Sequence, residues 1–197
     1  MRSKTEERRQ LILEVAAAAF KEVGYEKCSM NELAARVGGS KATLYNYFAS
    51  KEELFVAVML RGASQLRTAF ESLQPADDLA ATLRAFGREF LSGVLAPGLI
   101  ATLRMMHNEA GSEAGQLFYD AGPAHGLKLL HDFFAHAQAR GQVRAADPRI
   151  VGQHLIALLE AEFMPRRLMG VIDAPTRRQS DAAADRAVEV FMKAYAA

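Results

Sequence analysis

Apolar residues recur at i, i+3 and i+4 spacing along nearly the whole chain, a period that admits helices and little else. Ile12, Val15, Ala16, Ala19, Phe20 and Val23 form one stripe, and Gly24 follows as a natural stop. Leu79, Leu83, Phe86, Phe90 and Val94 form a second, closed by Ala96, Pro97 and Gly98. Leu127, Leu130, Phe133, Phe134 and Ala137 form a third, closed by Gly141. Ile150, Val151, Leu155, Leu158 and Leu159 open a fourth, and Val188, Phe191 and Tyr195 belong to the last. No run alternates with the period of two that a half-buried strand needs. The chain is therefore expected to be all-α, with about nine helices.

Local start signals agree. Ser29 with Glu32, and Ser50 with Glu53, fit the capping box, in which a serine accepts from a backbone N–H of the first turn and a glutamate reaches back. Asp147 precedes Pro148, the order of an N-cap before a first-turn proline. Ser40 is placed to cap a short helix running through Phe48. Elements between 25 and 50 are short and punctuated, whereas those after 51 lengthen. This predicts a three-helix helix-turn-helix unit over 1–55 and a long-helix bundle over 56–197, joined by the helix that starts near Lys51.

A chain of 197 residues can bury one good core and a smaller second one. Its formal charge of +1 says nothing about partners, so any recognition of a charged molecule rests on where the charges sit. One cysteine, Cys28, cannot make an internal disulfide and reads as a small half-buried residue. The charged N-terminus lacks the apolar core of a signal peptide, and no stretch approaches the ~20 apolar residues of a membrane span, so the expected location is the cytoplasm with no membrane partner.

Residues 29–48 carry the chemistry. Leu33, Ala34 and Val37 make the apolar side of a first short helix, and Gly38 or Gly39 can supply the positive φ of a sharp turn. In the second helix Leu44 and Phe48 share an inward face. Lys41, Ala42, Thr43, Tyr45, Asn46 and Tyr47 remain on the other sides. From Ser40 to Lys51 there are two lysines and no carboxylate, although Asp and Glu number 23 in the chain. A polyanion such as DNA repels acids and attracts cations, so the missing acids point to nucleic acid. Helix starts at Ser29 and Ser50 flank this element and present N–H groups suited to phosphate. Arg2 and Lys4 read as solvated cations.

The stretch from Ile12 through Phe55 resembles the DNA-binding domain of TetR-family transcriptional regulators. The likeness runs through Ala16, Ala17, Phe20, Gly24, Tyr25, Ser29, Met30, Leu33 and Ala34. It is sharpest at 40–48 and 50–55. The resemblance implies that Ser29 binds a phosphate and that Ser40 opens the reading helix. Lys41, Ala42 and Thr43 would face the major groove. Tyr45 and Tyr47 would reach phosphates or a thymine methyl, and Lys51 would bind backbone phosphate. Asn46 is the base reader to test first, since an amide pairs bidentately with adenine. The plainer alternatives are packing for Tyr45 and solvation for Asn46 and Lys51. Gly39 departs from the small aliphatic residue usual in the family, which loosens the turn by about 0.5–1 kcal/mol if that position is helical.

The family also implies a C-terminal ligand-binding and dimerising domain. The segment from Arg104 to Ala110, with Gly122, Pro123 and the run Gly141 to Arg144, resembles the regulatory domains of a subgroup that includes AefR and repressors of multidrug efflux. Met105, Met106, His107, Phe118, Phe133, Phe134 and Phe163 are the candidate pocket for a small, largely apolar effector, because methionine adapts its shape. Ordinary core packing is the alternative for each. His131, Glu109, Glu160 and Glu162 are polar groups near the apolar stripes. Leu155, Leu158, Leu159, Ala184, Val188 and Phe191, on the last two long helices expected over about 148–169 and 180–196, are the candidate homodimer face. Such a dimer reads a palindromic operator and is expected to act as a repressor released by its effector.

An enzyme is the first rival, but the chain has no Gly-rich phosphate loop and no paired nucleophile and base. His131 and His136 are five apart, a poor metal spacing, so neither a metal nor a cofactor is expected. The second rival is a helical ligand-binding protein that has lost DNA affinity.

Overall fold

The structure, a computed structural model, describes residues 4–108 and 111–197. Arg2, the side chain of Lys4, Glu109 and Ala110 lie outside what is described. Twelve helices occur among the described residues, and no strand. They are α1 (Lys4–Val23), α2 (Met30–Val37), α3 (Lys41–Tyr45), α4 (Lys51–Gly62), α5 (Ser64–Glu71), α6 (Leu79–Val94), α7 (Pro97–Asn108), α8 (Glu113–Ala121), α9 (Pro123–Ala139), α10 (Pro148–Glu160), α11 (Met164–Leu168) and α12 (Arg177–Tyr195). The all-α expectation holds, and the count exceeds the expected nine for local reasons. Pro165 cannot donate to the carbonyl four residues earlier, so the helix expected over about 148–169 breaks after Glu160 and restarts as α11. The last helix begins at Arg177 rather than 180, because Thr176 and Gln179 form a full capping box.

Contacts divide the chain into two compact units, 1–62 with 104–121, and 63–103 with 122–197. The sequence placed one boundary at 55/56; the contacts place it at 62/63 and assign 104–121 to the first unit. In that unit Ile12, Phe20, Tyr25, Leu33, Leu44, Phe48, Leu54 and Phe55 form one buried cluster, joined by Met106 and Ala114. Phe55 sits 5.5 Å from Phe20 and 4.6 Å from Tyr25, ring centroid to centroid, so three aromatic side chains lock α1, α4 and the loop before α2.

The second unit packs α6, α9, α10 and α12 around Leu83, Phe86, Phe90, Leu130, Phe134, Leu155, Leu159, Val188 and Phe191. α6 approaches its neighbours closely because position 87 is glycine, where a Cβ would lie 2.8 Å from Leu159 Cδ2. An antiparallel bridge, Val143 to Ala196, ties the end of α12 to the loop after α9.

This packing corrects the expected dimer face. Leu155, Leu159, Ala184, Val188 and Phe191 are each 0 % exposed within one protomer, and Leu158 is half-buried against the same core. The five wholly buried side chains close α10 and α12 over α6 and α9 and are not available to a second copy, whereas Leu158 keeps part of its surface outside. Large apolar side chains exposed on these helices are Ile150 and Val190. No single helix among the described residues is long and apolar enough to cross a membrane.

Candidate nucleic-acid interface

The turn between α2 and α3 is built from backbone hydrogen bonds that glycine permits. Gly38 adopts φ +70°, its N–H donates to the Ala35 carbonyl at 3.1 Å, and the Gly39 N–H donates to the Ala34 carbonyl at 3.0 Å. That pair of bonds is a Schellman closure, which terminates α2 and turns the chain sharply. Ser40 then caps α3. Its Oγ accepts from the Thr43 backbone N–H at 3.1 Å and lies 2.9 Å from Thr43 Oγ1. Regular helix ends at Tyr45, but turns continue as Asn46 donates to Ala42 and Phe48 to Leu44, so the helical path reaches Phe48 as expected.

Leu44 is 0 % and Phe48 1 % exposed, and these two anchors pin the element to the core. Each full burial of this kind contributes about 1.5–3 kcal/mol. What the anchors leave outside is the predicted surface. Lys41, Ala42, Tyr45 and Asn46 are exposed, while Thr43 and Tyr47 are half-buried. The Lys41 ammonium lies 5.8 Å from the Tyr45 ring centroid. Among the described residues the Asn46 amide and the Tyr45 and Tyr47 hydroxyls have no hydrogen-bond partner inside the protein, so their polar groups remain available.

Both flanking serines cap as read, but the box at Ser29 is not closed, because the Glu32 carboxylate pairs with Arg36 at 2.7 Å instead of reaching back. Ser29, exposed, accepts from the Glu32 N–H at 3.1 Å. Ser50 accepts from the Glu53 N–H at 3.1 Å, and Glu53 reaches back to accept from the Ala49 N–H at 2.6 Å. Lys51 is more constrained than a solvated cation. Its Nζ donates to the Tyr25 carbonyl at 3.1 Å and sits 4.0 Å from the Tyr25 ring centroid. The Tyr25 hydroxyl donates to Glu52, and burial, with that carboxylate beside it, holds the phenol well above its usual range. Three carboxylates of this unit are held by arginines, Glu22 and Glu32 by Arg36 and Glu14 by Arg61. Cys28 is 1 % exposed, and burial pushes its thiol up, which makes it inert.

Two residues escaped the sequence reading. Arg8 and Arg9 of α1 reach the α2–α3 turn and the Phe48 ring respectively. The signal was a basic pair one turn inside the first helix.

The candidate pocket residues do not gather in one core. Met105, Met106 and Phe118 pack in the first unit's cluster, while Phe133, Phe134 and Phe163 pack in the second's. His107 is exposed, and Phe134 is wholly buried between Phe133 and Phe191. Of the seven, Phe133 alone lines the groove described for the second unit. That groove, of about 290 Å³, is also bordered by Phe70, Leu73, Leu129, Asp132 and His136. His131 is half-buried with an Nδ1 that has no partner among the described residues. Glu162 is held by Arg186 at 2.6 Å, and burial raises the Glu160 carboxyl above its usual range.

Comparison with known proteins agrees with this geometry. The family described as bacterial regulatory proteins, tetR family, matches residues 12–58, and the AefR-like transcriptional repressor C-terminal domain matches 81–197. The nucleoid occlusion factor SlmA of Haemophilus influenzae is 29% identical over 171 residues, covering 80% of this chain and 74% of that protein. The structure of the flavonoid-responsive regulator FrrA superposes with a TM-score of 0.82 at 27% identity, covering 97% of this chain and 98% of that one. A Mesorhizobium loti protein assigned to the TetR family gives 0.79 at 25% identity over 100% of both chains. Fold and family are those of regulators and not of enzymes. The chain belongs to the TetR family of DNA-binding transcriptional regulators, with an AefR-like C-terminal domain.

Proposed function

We propose that the chain is a ligand-responsive repressor that holds a palindromic operator as a homodimer and leaves it when a small, largely apolar effector binds. One observation carries the reading: the exposed, carboxylate-free face of α3, fixed by Leu44 and Phe48 and bearing an unengaged Asn46 amide. Footprinting on the DNA upstream of its own gene tests it. A symmetric protected site supports it, and only salt-sensitive, sequence-blind binding favours the rival of a ligand-binding protein without an operator. Asn46→Ala is expected to cost about 1–3 kcal/mol at one operator base pair and to relax the preference there. Binding-site selection measures this, and an unaltered profile removes Asn46 as a reader.

The dimer is proposed on the outer faces of α10 and α12. Ile150 is 43 % and Val190 50 % exposed, and Ala157 is exposed on the same side of α10 as His154. Two copies paired there would form a four-helix interface and set two α3 elements about 34–36 Å apart, one turn of DNA. The double variant Ile150→Asp with Val190→Asp is expected to sediment as a monomer and to lose palindrome binding. A dimer that survives both changes places the interface elsewhere.

For the effector we favour the groove bordered by Phe70, Leu73, Leu129 and Phe133, with Asp132 and His136 as polar groups. Its size is at the small end of ligand sites. The flavonoid response of FrrA supports an effector of low polarity, and the AefR-like repressor domain supports repression. Release requires the effector to bind the two states of the dimer unequally. An operator-bound repressor works in the cytoplasm, the location proposed here.

A further inference from the structure

Two consecutive arginines of α1 reach the reading element, and neither pairs with a carboxylate among the described residues. The Arg9 guanidinium lies 5.1 Å from the Phe48 ring centroid. Arg8 Nη2 donates to the Gly38 carbonyl oxygen at 3.3 Å, at the turn that leads into α3. Elsewhere Arg36, Arg61, Arg88, Arg149, Arg177 and Arg186 each hold a carboxylate. A paired guanidinium adds little net charge to a surface, whereas Arg8 keeps its whole charge at the α2–α3 turn.

Position 39 explains why the guanidinium fits. A Cβ there would lie 3.0 Å from Arg8 Nη2 and 3.7 Å from Thr43 Cβ. That contact is tighter than ordinary packing, so a side chain at 39 pushes the guanidinium back from the turn by at least a few tenths of an ångström. Gly39 is not among the residues with positive φ, so the backbone does not itself demand glycine. The departure from an aliphatic residue leaves room for a cation.

We propose that Arg8 is a phosphate-binding residue of the DNA interface, seated at the α2–α3 turn because position 39 carries no side chain. The proposal rests on the DNA-binding reading of α3. A guanidinium has five N–H donors in a planar fork, and Gly38 takes one of them. The rest suit the oxygens of a backbone phosphate, which carries no sequence information.

Equilibrium binding across a salt series tests it, on a duplex from the upstream region and on one of unrelated sequence, beside thermal melts. Arg8→Gln retains a donor for Gly38 and loses the charge. It is expected to weaken both duplexes by a similar factor, about five- to tenfold near 0.1 M salt, and to reduce the salt slope by about one. Its melting temperature should match the wild type, and Arg8→Lys should restore the slope. Gly39→Val should reproduce the Arg8→Gln slope, and combining the two should add nothing further. An unchanged slope for Arg8→Gln, or a loss that follows a lowered melting temperature, overturns the assignment. Additive losses in the double variant overturn the role of Gly39. If the wild-type chain binds neither duplex, the DNA-binding reading falls first and takes this proposal with it.

Discussion

Alanine in place of Phe55 lowers stability by about 3–5 kcal/mol, a large part of the roughly 5–15 kcal/mol that holds an ordinary domain together. The reason is its position as the hub of the first unit. It is 0 % exposed, and its ring meets those of Phe20 at 5.5 Å and Tyr25 at 4.6 Å. Removing the ring leaves a cavity where α1, α4 and the loop before α2 converge, and partial collapse cannot refill it. The consequence for function is indirect. α3 has only five residues of regular helix and too little length to hold its shape alone, so it depends on Leu44 and Phe48 finding this core. Urea unfolding followed by circular dichroism measures the loss. Phe55→Leu, which keeps most of the volume, should cost about 1.5 kcal/mol or less. A midpoint for Phe55→Ala equal to the wild type would show that the aromatic trio does not hold the scaffold.

The second large effect tests the missing acids directly. Ala42 is exposed on the first turn of α3. A glutamate there stands near a helix start, where a negative charge is mildly favourable, so stability should hold or rise slightly. Against DNA the same carboxylate faces phosphate, and such like-charge contacts cost several kcal/mol. At about 1.4 kcal/mol per tenfold, Ala42→Glu should lose a hundredfold or more in DNA affinity. Ala42→Gln has the same bulk without the charge and should lose far less. Stability and binding are thus expected to move apart, a result that misfolding cannot imitate. Equal losses for Glu and Gln would assign the effect to bulk and remove electrostatic exclusion as the reason for the acid-free surface.

Much of this was legible in advance because it is local. Ser29, Ser40, Ser50 and Asp147 cap as read, since a cap is a contact between residues two or three apart. The inward pair Leu44 and Phe48 and the outward Tyr45 and Asn46 follow from the helical period and hold in the structure. The box at Thr176 was also legible but was passed over, and Pro165 was a break in plain view. What failed was allocation. Leu155, Val188 and Phe191 were rightly read as apolar and wrongly given to a partner. Met106 and Phe134 were assigned to one pocket and lie in two cores.

By itself, then, the order of residues determined that the chain is helical, that helices start after Ser29, Ser40, Ser50 and Asp147, and which side of α3 stays wet. The tertiary structure alone decided which core each apolar stripe enters, that 104–121 joins the first unit, and that Arg8 reaches the α2–α3 turn. The physical reason is range. Caps and periodicity are set by bonds within about four residues, whereas a stripe of apolar side chains specifies that it must be buried and not by what.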